Sequence, residues 1–109
     1  MRTLRYVLCD VFTDRPLEGN PLWVFTDARG LDPFTMQALA REVNLSETVF
    51  VTSPERGGHA RLRIFGPRLE LAWGGYPALG AAFVLGGPLQ SSDVLLDLET
   101  NVVRVRLER

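Results

Sequence analysis

Apolar and polar positions along the chain fall into short blocks whose period changes several times. Leu4 to Phe12 and Leu22-Trp23-Val24-Phe25 are apolar runs of β-rich composition, and both read as strands. Thr13 to Pro16 and Glu18-Gly19-Asn20-Pro21 lie between them as turn material, because Pro fixes φ while Gly and Asn tolerate positive φ. Asp27 to Gly30 ends the second strand. The period then lengthens. Met36, Leu39, Ala40 and Val43 fall at i, i+3, i+4 and i+7, predicting a helix with a core-facing stripe and with Gln37, Arg41 and Glu42 toward water. Asp32 is placed to cap that helix, Pro33 suits its first position, and Asn44 suits its end.

Glu47 to Thr52 reads as a strand and Pro54 to Gly58 as an exposed loop. Ala60, Leu62 and Ile64 alternate with His59, Arg61 and Arg63, the period of two expected of a half-buried strand. Leu69 to Leu71 makes a brief strand. Val94 to Leu98 and Val102 to Leu107 form a closing hairpin turned at Asn101, with Val103, Val105 and Leu107 inward and Arg104 and Arg106 outward.

Tyr76 to Leu85 has no polar phase at all. Gly74-Gly75 leads into it, Pro77 is suited to the first helical position, and Gly86 with Pro88 predicts its stop. A helix that is apolar all round must be enclosed, and this one is far shorter than the roughly 20 residues a bilayer span requires. Strands, helix, strands, buried helix, strands: that order predicts an α+β fold whose curved mixed sheet wraps around a central apolar helix.

Composition narrows the function classes. The chain of 109 residues has the length of a single domain, 1–109, and with 46% hydrophobic residues it can bury a real core. Its formal charge is −1, with every cation except a histidine supplied by Arg, so nothing marks it for nucleic acid or an anionic membrane. Cys9 is the single cysteine, which excludes a disulfide scaffold and reads as a buried thiol. The N-terminus lacks the apolar stretch of a signal peptide, and a cytoplasmic location is expected. His59 is the single histidine and sits on the polar phase of a strand, as a surface histidine would. No ligand pair has metal-binding spacing, and no nucleotide fingerprint is present, so neither metal nor cofactor is expected.

Two places could carry chemistry. The glycine-opened mouth of the buried helix, Gly74, Gly75 and Tyr76, would aim unpaired N–H groups and a positive dipole end at a carboxylate. Equally, Gly-Gly makes a tight strand-to-helix turn and nothing more. The polar string Asn44-Leu45-Ser46-Glu47-Thr48 is wedged between helix and core strand, where desolvation would tune Glu47 for acid–base work. As a plain turn, it would leave Glu47 in water.

Asp10-Val11-Phe12-Thr13, Gly19-Asn20-Pro21-Leu22, Asn44 to Val51, Arg63-Ile64-Phe65 and Gly75-Tyr76-Pro77-Ala78-Leu79-Gly80 resemble, in order, the PhzF (phenazine-biosynthesis-like) family. That resemblance implies a diaminopimelate-epimerase fold, in which two pseudo-symmetric halves each wrap a sheet around a central helix and the active site lies between them. It implies that this chain is similar to the N-terminal half, a half-barrel. It also implies that Glu47 is the catalytic acid–base group of a proton-shifting isomerase, with Ser46 and Gly75 lining the same pocket. Two features depart from the pattern: Gly75-Tyr76-Pro77-Ala78 stands where the family usually has Gly-His-Pro-Thr, and Glu99-Thr100-Asn101 where it commonly has Glu-Thr-Gly. An isomerase of a small carboxylate-bearing substrate, active only once paired with a second half in a homodimer or heterodimer, is one expectation. A catalytically inactive half serving binding or assembly is the other.

Overall fold

The computed structural model describes residues 2–11, 19–72, 75–89, 93–99 and 101–107. Seven strands and two helices follow in the order β1 (Tyr6–Val11), β2 (Asn20–Phe25), α1 (Pro33–Val43), β3 (Thr48–Thr52), β4 (Ala60–Phe65), β5 (Glu70–Leu71), α2 (Gly75–Leu89), β6 (Asp93–Asp97) and β7 (Val102–Arg106). All seven strands belong to one mixed sheet running β1-β2-β3-β4-β6-β7, with β5 pairing the end of β4. β2–β3 and β4–β6 are parallel and the other pairs antiparallel.

The sheet curves around α2, which touches both outermost strands, β1 and β7, as well as β2, β3 and β6. Strand alternation divides the apolar side chains between two faces. Leu22, Val24, Val49, Val51, Leu62 and Ile64 pack on the concave face against Ala78, Ala81 and Ala82 of α2. Phe25, Phe50 and Phe65 pack on the convex face against Met36 and Ala40 of α1. There Phe25 and Phe50 stack at 4.9 Å between centroids, and Phe65 meets Phe50 edge-on at 5.4 Å, both favourable ring geometries. Small residues let α2 approach the sheet closely. A Cβ added at Gly80 would stand 2.5 Å from Leu22 Cδ2 and 3.0 Å from a Val11 methyl.

Helix α1 begins and ends as its sequence predicts. The Asp32 carboxylate accepts from Thr35 N–H at 2.8 Å, Pro33 opens the helix, and Asn44 closes it at φ 57° with its N–H donating to Ala40 O. Other expectations are corrected. Asn20 and Pro21 belong to β2 rather than a turn; β3 joins β2 only from Trp23 onward, so Pro21 sits where the strand has one neighbour. Gln37 is half-buried and donates to Gly66 O at 2.9 Å, tying α1 to the turn after β4. Arg61 is buried, not outward in water; its guanidinium donates to Leu62 O and approaches Glu55 at 3.8 Å. Helix α2 starts at Gly75, so Pro77 is third rather than first, still among the N–H groups that lack helical partners. It also runs through Gly86-Gly87-Pro88 to Leu89, where enclosure by the sheet outweighs the roughly 3 kcal/mol an interior proline costs. Thr13 to Pro16 lies outside the described residues.

Candidate active site

Chain leaving α1 at Asn44 turns through Leu45 and Ser46 and enters β3 at Thr48, with Glu47 as the last residue before the strand. Alternation places Glu47 in phase with Val49 and Val51, on the concave face toward α2, while Thr48 shares the convex face with Phe50. Glu47 is half-buried and its Oε2 is inaccessible to solvent. Ser46 is exposed. The linker is packed rather than loose. Ser46 O lies against Gly66, whose N–H donates to Leu69 O and whose carbonyl holds Gln37.

Helix direction decides what Glu47 can meet. Gly80 of α2 touches Leu22 and Val11, at the start of β2 and the end of β1. Leu85, further along the helix, lines the same cavity as Thr26 and Val51, at the finish of β2 and β3. Helix α2 therefore runs parallel to β2 and β3, and its N-terminal turn, opened by Gly75, lies at the end of the sheet where Glu47 enters. The backbone of Gly75 and Tyr76 forms the first two helical positions there. Gly74 lies outside the described residues, and so does the start of the loop after β1. A half-buried carboxylate at the same end of the sheet as a helix N-terminus can exchange a proton with a ligand whose anionic group rests on the helix N–H groups.

Two buried polar atoms lie just behind this point. Trp23 and Thr48 are register partners in the parallel β2–β3 pair, and Trp23 Nε1 and Thr48 Oγ1 are both buried with no hydrogen-bond partner among the described residues. Among the described residues no group of three His, Cys, Asp or Glu could hold a metal ion, and no helix is long and apolar enough to cross a membrane. Cys9 is free and half-buried; burial, with the Asp10 charge adding to it, pushes its thiol above the usual value, so it is not primed as a nucleophile.

Sequence reasoning assigned no role to Asp97, whose carboxylate accepts three backbone hydrogen bonds. Fully inaccessible at the end of β6, it accepts from the backbone N–H groups of Glu55, Arg56 and Gly58 at 2.7, 2.6 and 2.9 Å. Burial alone would raise its carboxyl, but those three N–H groups and the Arg56 charge outweigh burial and hold it below the usual carboxylate range. An aspartate flanked by apolar residues, with a Gly-Gly loop elsewhere in the chain, was the available signal. His59 is exposed as expected, with Nδ1 accepting from Leu95 N–H at 2.9 Å.

The phenazine biosynthesis-like (PhzC-PhzF) signature spans residues 9–109. The chain belongs to that family. Among relatives, the trans-2,3-dihydro-3-hydroxyanthranilate isomerase of Pseudomonas fluorescens is 46% identical over 104 residues, covering 95% of this chain and 37% of its own length. The crystal structure of a PhzF-family phenazine biosynthesis protein of Bacillus anthracis superposes with a TM-score of 0.88 at 28% identity, over 97% of this chain and 36% of that one. A predicted epimerase of Pseudomonas aeruginosa superposes at 0.85 with 38% identity, over 95% of this chain and 39% of that one. This chain thus spans little more than a third of the length of such relatives, and its half-barrel around a central helix is the PhzF/epimerase-like architecture.

Proposed function

We propose that this chain is one half of a proton-shifting isomerase whose substrate is a small carboxylate-bearing ring compound of the dihydro-hydroxyanthranilate class. What supports this reading most is Glu47: it is half-buried with Oε2 inaccessible, strand alternation puts it in phase with Val49 and Val51, and the neighbours of Gly80 put the start of α2 toward that end of the sheet. In the proposed reaction the Glu47 carboxylate takes a proton from one ring carbon, leaving a delocalised carbanion, and returns it to another carbon of the same conjugated system. Protons balance, and no redox partner is needed. The substrate carboxylate rests on the helix mouth of Gly74, Gly75 and Tyr76, with Ser46 at the rim. A phenol, with an ordinary pKa near about 10, is a poor base at neutral pH, so Tyr76 contributes a hydrogen bond or volume. We place the activity in the cytoplasm, in keeping with the free thiol of Cys9.

Pairing with a second half is part of this proposal, and exposed apolar surface supports it. Along α2 the small residues Ala78, Gly80, Ala81 and Ala82 are buried against the sheet, while Leu79 and Phe83 are 39% and 74% exposed. These two are one turn apart, forming an apolar strip on the helix that β1 and β7, the outermost strands among the described residues, flank. A second copy of the chain or a separately encoded second half would cover it. The rival reading is a binding or assembly subunit without turnover. Tyr76 and Ala78 favour it, since they stand where the family pattern usually has His and Thr.

The experiment mixes the purified chain with the region of the Pseudomonas fluorescens isomerase that lies beyond the matched segment, and follows trans-2,3-dihydro-3-hydroxyanthranilate by absorbance. Turnover in the mixture and none from either part alone is expected. A stable complex that binds substrate without converting it would favour the assembly reading, and a monodisperse monomer with full activity would contradict the need for pairing.

A further inference from the structure

At the end of the sheet away from Glu47, where β2 and β3 finish and β4 begins, the concave face opens into a cavity of about 370 Å³. Its floor is apolar, formed by Val51, Ala60 and Leu85, and its walls carry Thr26, Ser53 and His59. That volume is enough for a small ring compound, which would lie on the apolar floor of a cleft open to solvent on one side.

The wall bearing His59 is built rather than incidental. His59 N–H donates to Leu95 O at 2.7 Å, and Leu95 N–H donates to His59 Nδ1 at 2.9 Å, so backbone and ring are both fixed to the middle of β6. With Nδ1 accepting, the neutral imidazole carries its proton on Nε2, a single donor with a set position. The loop leading to it is anchored by Asp97 through three N–H bonds. Gly58 lies so close that an added Cβ would collide with the Asp97 carboxylate and stand 2.9 Å from Leu95 O. A wall so pinned loses little freedom when a ligand docks.

Charge selects the kind of ligand. The rim carries Asp27 and Arg29, joined in a two-pronged ion pair at 2.8 and 2.9 Å. Hydrogen bonding to Arg29 pulls the Asp27 carboxyl down to about 2, so the pair stays jointly neutral across the physiological range. Among the described residues that line the cavity, Arg29 is shared with Asp27, and Arg2 stands outside the lining, donating to Asp27 O at 3.3 Å; a carboxylate would lose hydration for a screened attraction at the rim, whereas a neutral ligand would lose little.

We propose that this cavity is a second ligand site, separate from Glu47, for a small neutral ring compound with one hydroxyl or amide oxygen. The oxygen accepts from His59 Nε2–H, and the ring lies on Val51, Ala60 and Leu85. The test is a titration of the full chain with phenol, and in parallel with benzoate, followed by amide NMR. Saturable shifts centred on Thr26, His59 and Ala60, with benzoate at least about tenfold weaker, are expected. Ser53→Trp, a substitution at an exposed wall position, should fill the cavity and abolish these shifts, while Glu47→Gln should leave them unchanged and so separates this site from the proposed catalytic one. Overturning results are non-saturable shifts, shifts that persist in Ser53→Trp, shifts centred on Glu47, or benzoate binding as tightly as phenol.

Discussion

Replacing Asp97 should unseat the 54–58 loop and remove part of the protein's resistance to acid. Its carboxylate is wholly inaccessible and takes three backbone N–H bonds at 2.6–2.9 Å. Hydrogen bonds to a charged group contribute about 1.5–3 kcal/mol each. The plain sum overstates the effect, because Glu55 and Arg56 are exposed and water can take over their N–H groups once the loop relaxes. Asp97→Ala should therefore cost about 2–4 kcal/mol. Asp97→Asn should cost less, keeping one acceptor oxygen but turning an NH₂ group toward N–H donors. The folded carboxyl lies below its ordinary value of about 3.9, so its contribution is complete above that value and is lost as pH falls through the lower, folded value. Urea unfolding at pH 7 and across the acid range measures both effects. The parent should lose stability below about pH 4 more steeply than Asp97→Ala. Amide exchange at Glu55, Arg56 and Gly58 should quicken in the variant. An Asp97→Ala protein within about 0.5 kcal/mol of the parent, or one with the same acid slope, would mean that the carboxylate does not hold the loop.

Gly80→Ala should destabilise the chain by about 1–3 kcal/mol in urea unfolding, since its Cβ would meet Leu22 and Val11 at 2.5 and 3.0 Å; an unchanged midpoint would mean that α2 shifts freely. Asp32→Ala should cost about 0.5–2 kcal/mol by removing the α1 cap, with no change in the folded spectrum. Thr48→Val should be neutral or stabilising, because it replaces a buried unpartnered hydroxyl with a group of the same shape; a loss above about 1 kcal/mol would show that the hydroxyl has a partner in solution. By light scattering, Phe83→Arg should shift any self-association toward monomer if its exposed strip is the mating surface; unchanged association would exclude the strip.

Local rules made much of the fold legible. Asp32, Pro33 and Asn44 bound α1 because caps act within a few residues of the helix they end. The alternation of Ala60, Leu62 and Ile64 marked β4, and the all-apolar Tyr76 to Leu85 marked the enclosed helix. Long-range packing explains the misses. Helix α2 passes Gly86 and Pro88 because the sheet encloses it, and Arg61 is buried because its neighbours supply Leu62 O and Glu55. Asp97 stands out only as an aspartate among apolar residues; its partners could not be read, because its donors lie some forty residues earlier in the chain and backbone donors leave no mark in sequence. At the candidate site, Glu47 stood out as a polar string against a core strand. Which way α2 points, and therefore what Glu47 faces, needed the contacts of Gly80 and Leu85.

Proton transfer by Glu47 is read by comparing the parent with Glu47→Gln, each assembled with the second half, in isomerisation of trans-2,3-dihydro-3-hydroxyanthranilate. Glutamine keeps the shape and hydrogen bonding of the side chain but cannot shuttle a proton. A fall of about 10²-fold or more in turnover with substrate binding retained is expected, and equal turnover in the two proteins would mean that Glu47 does not carry the proton.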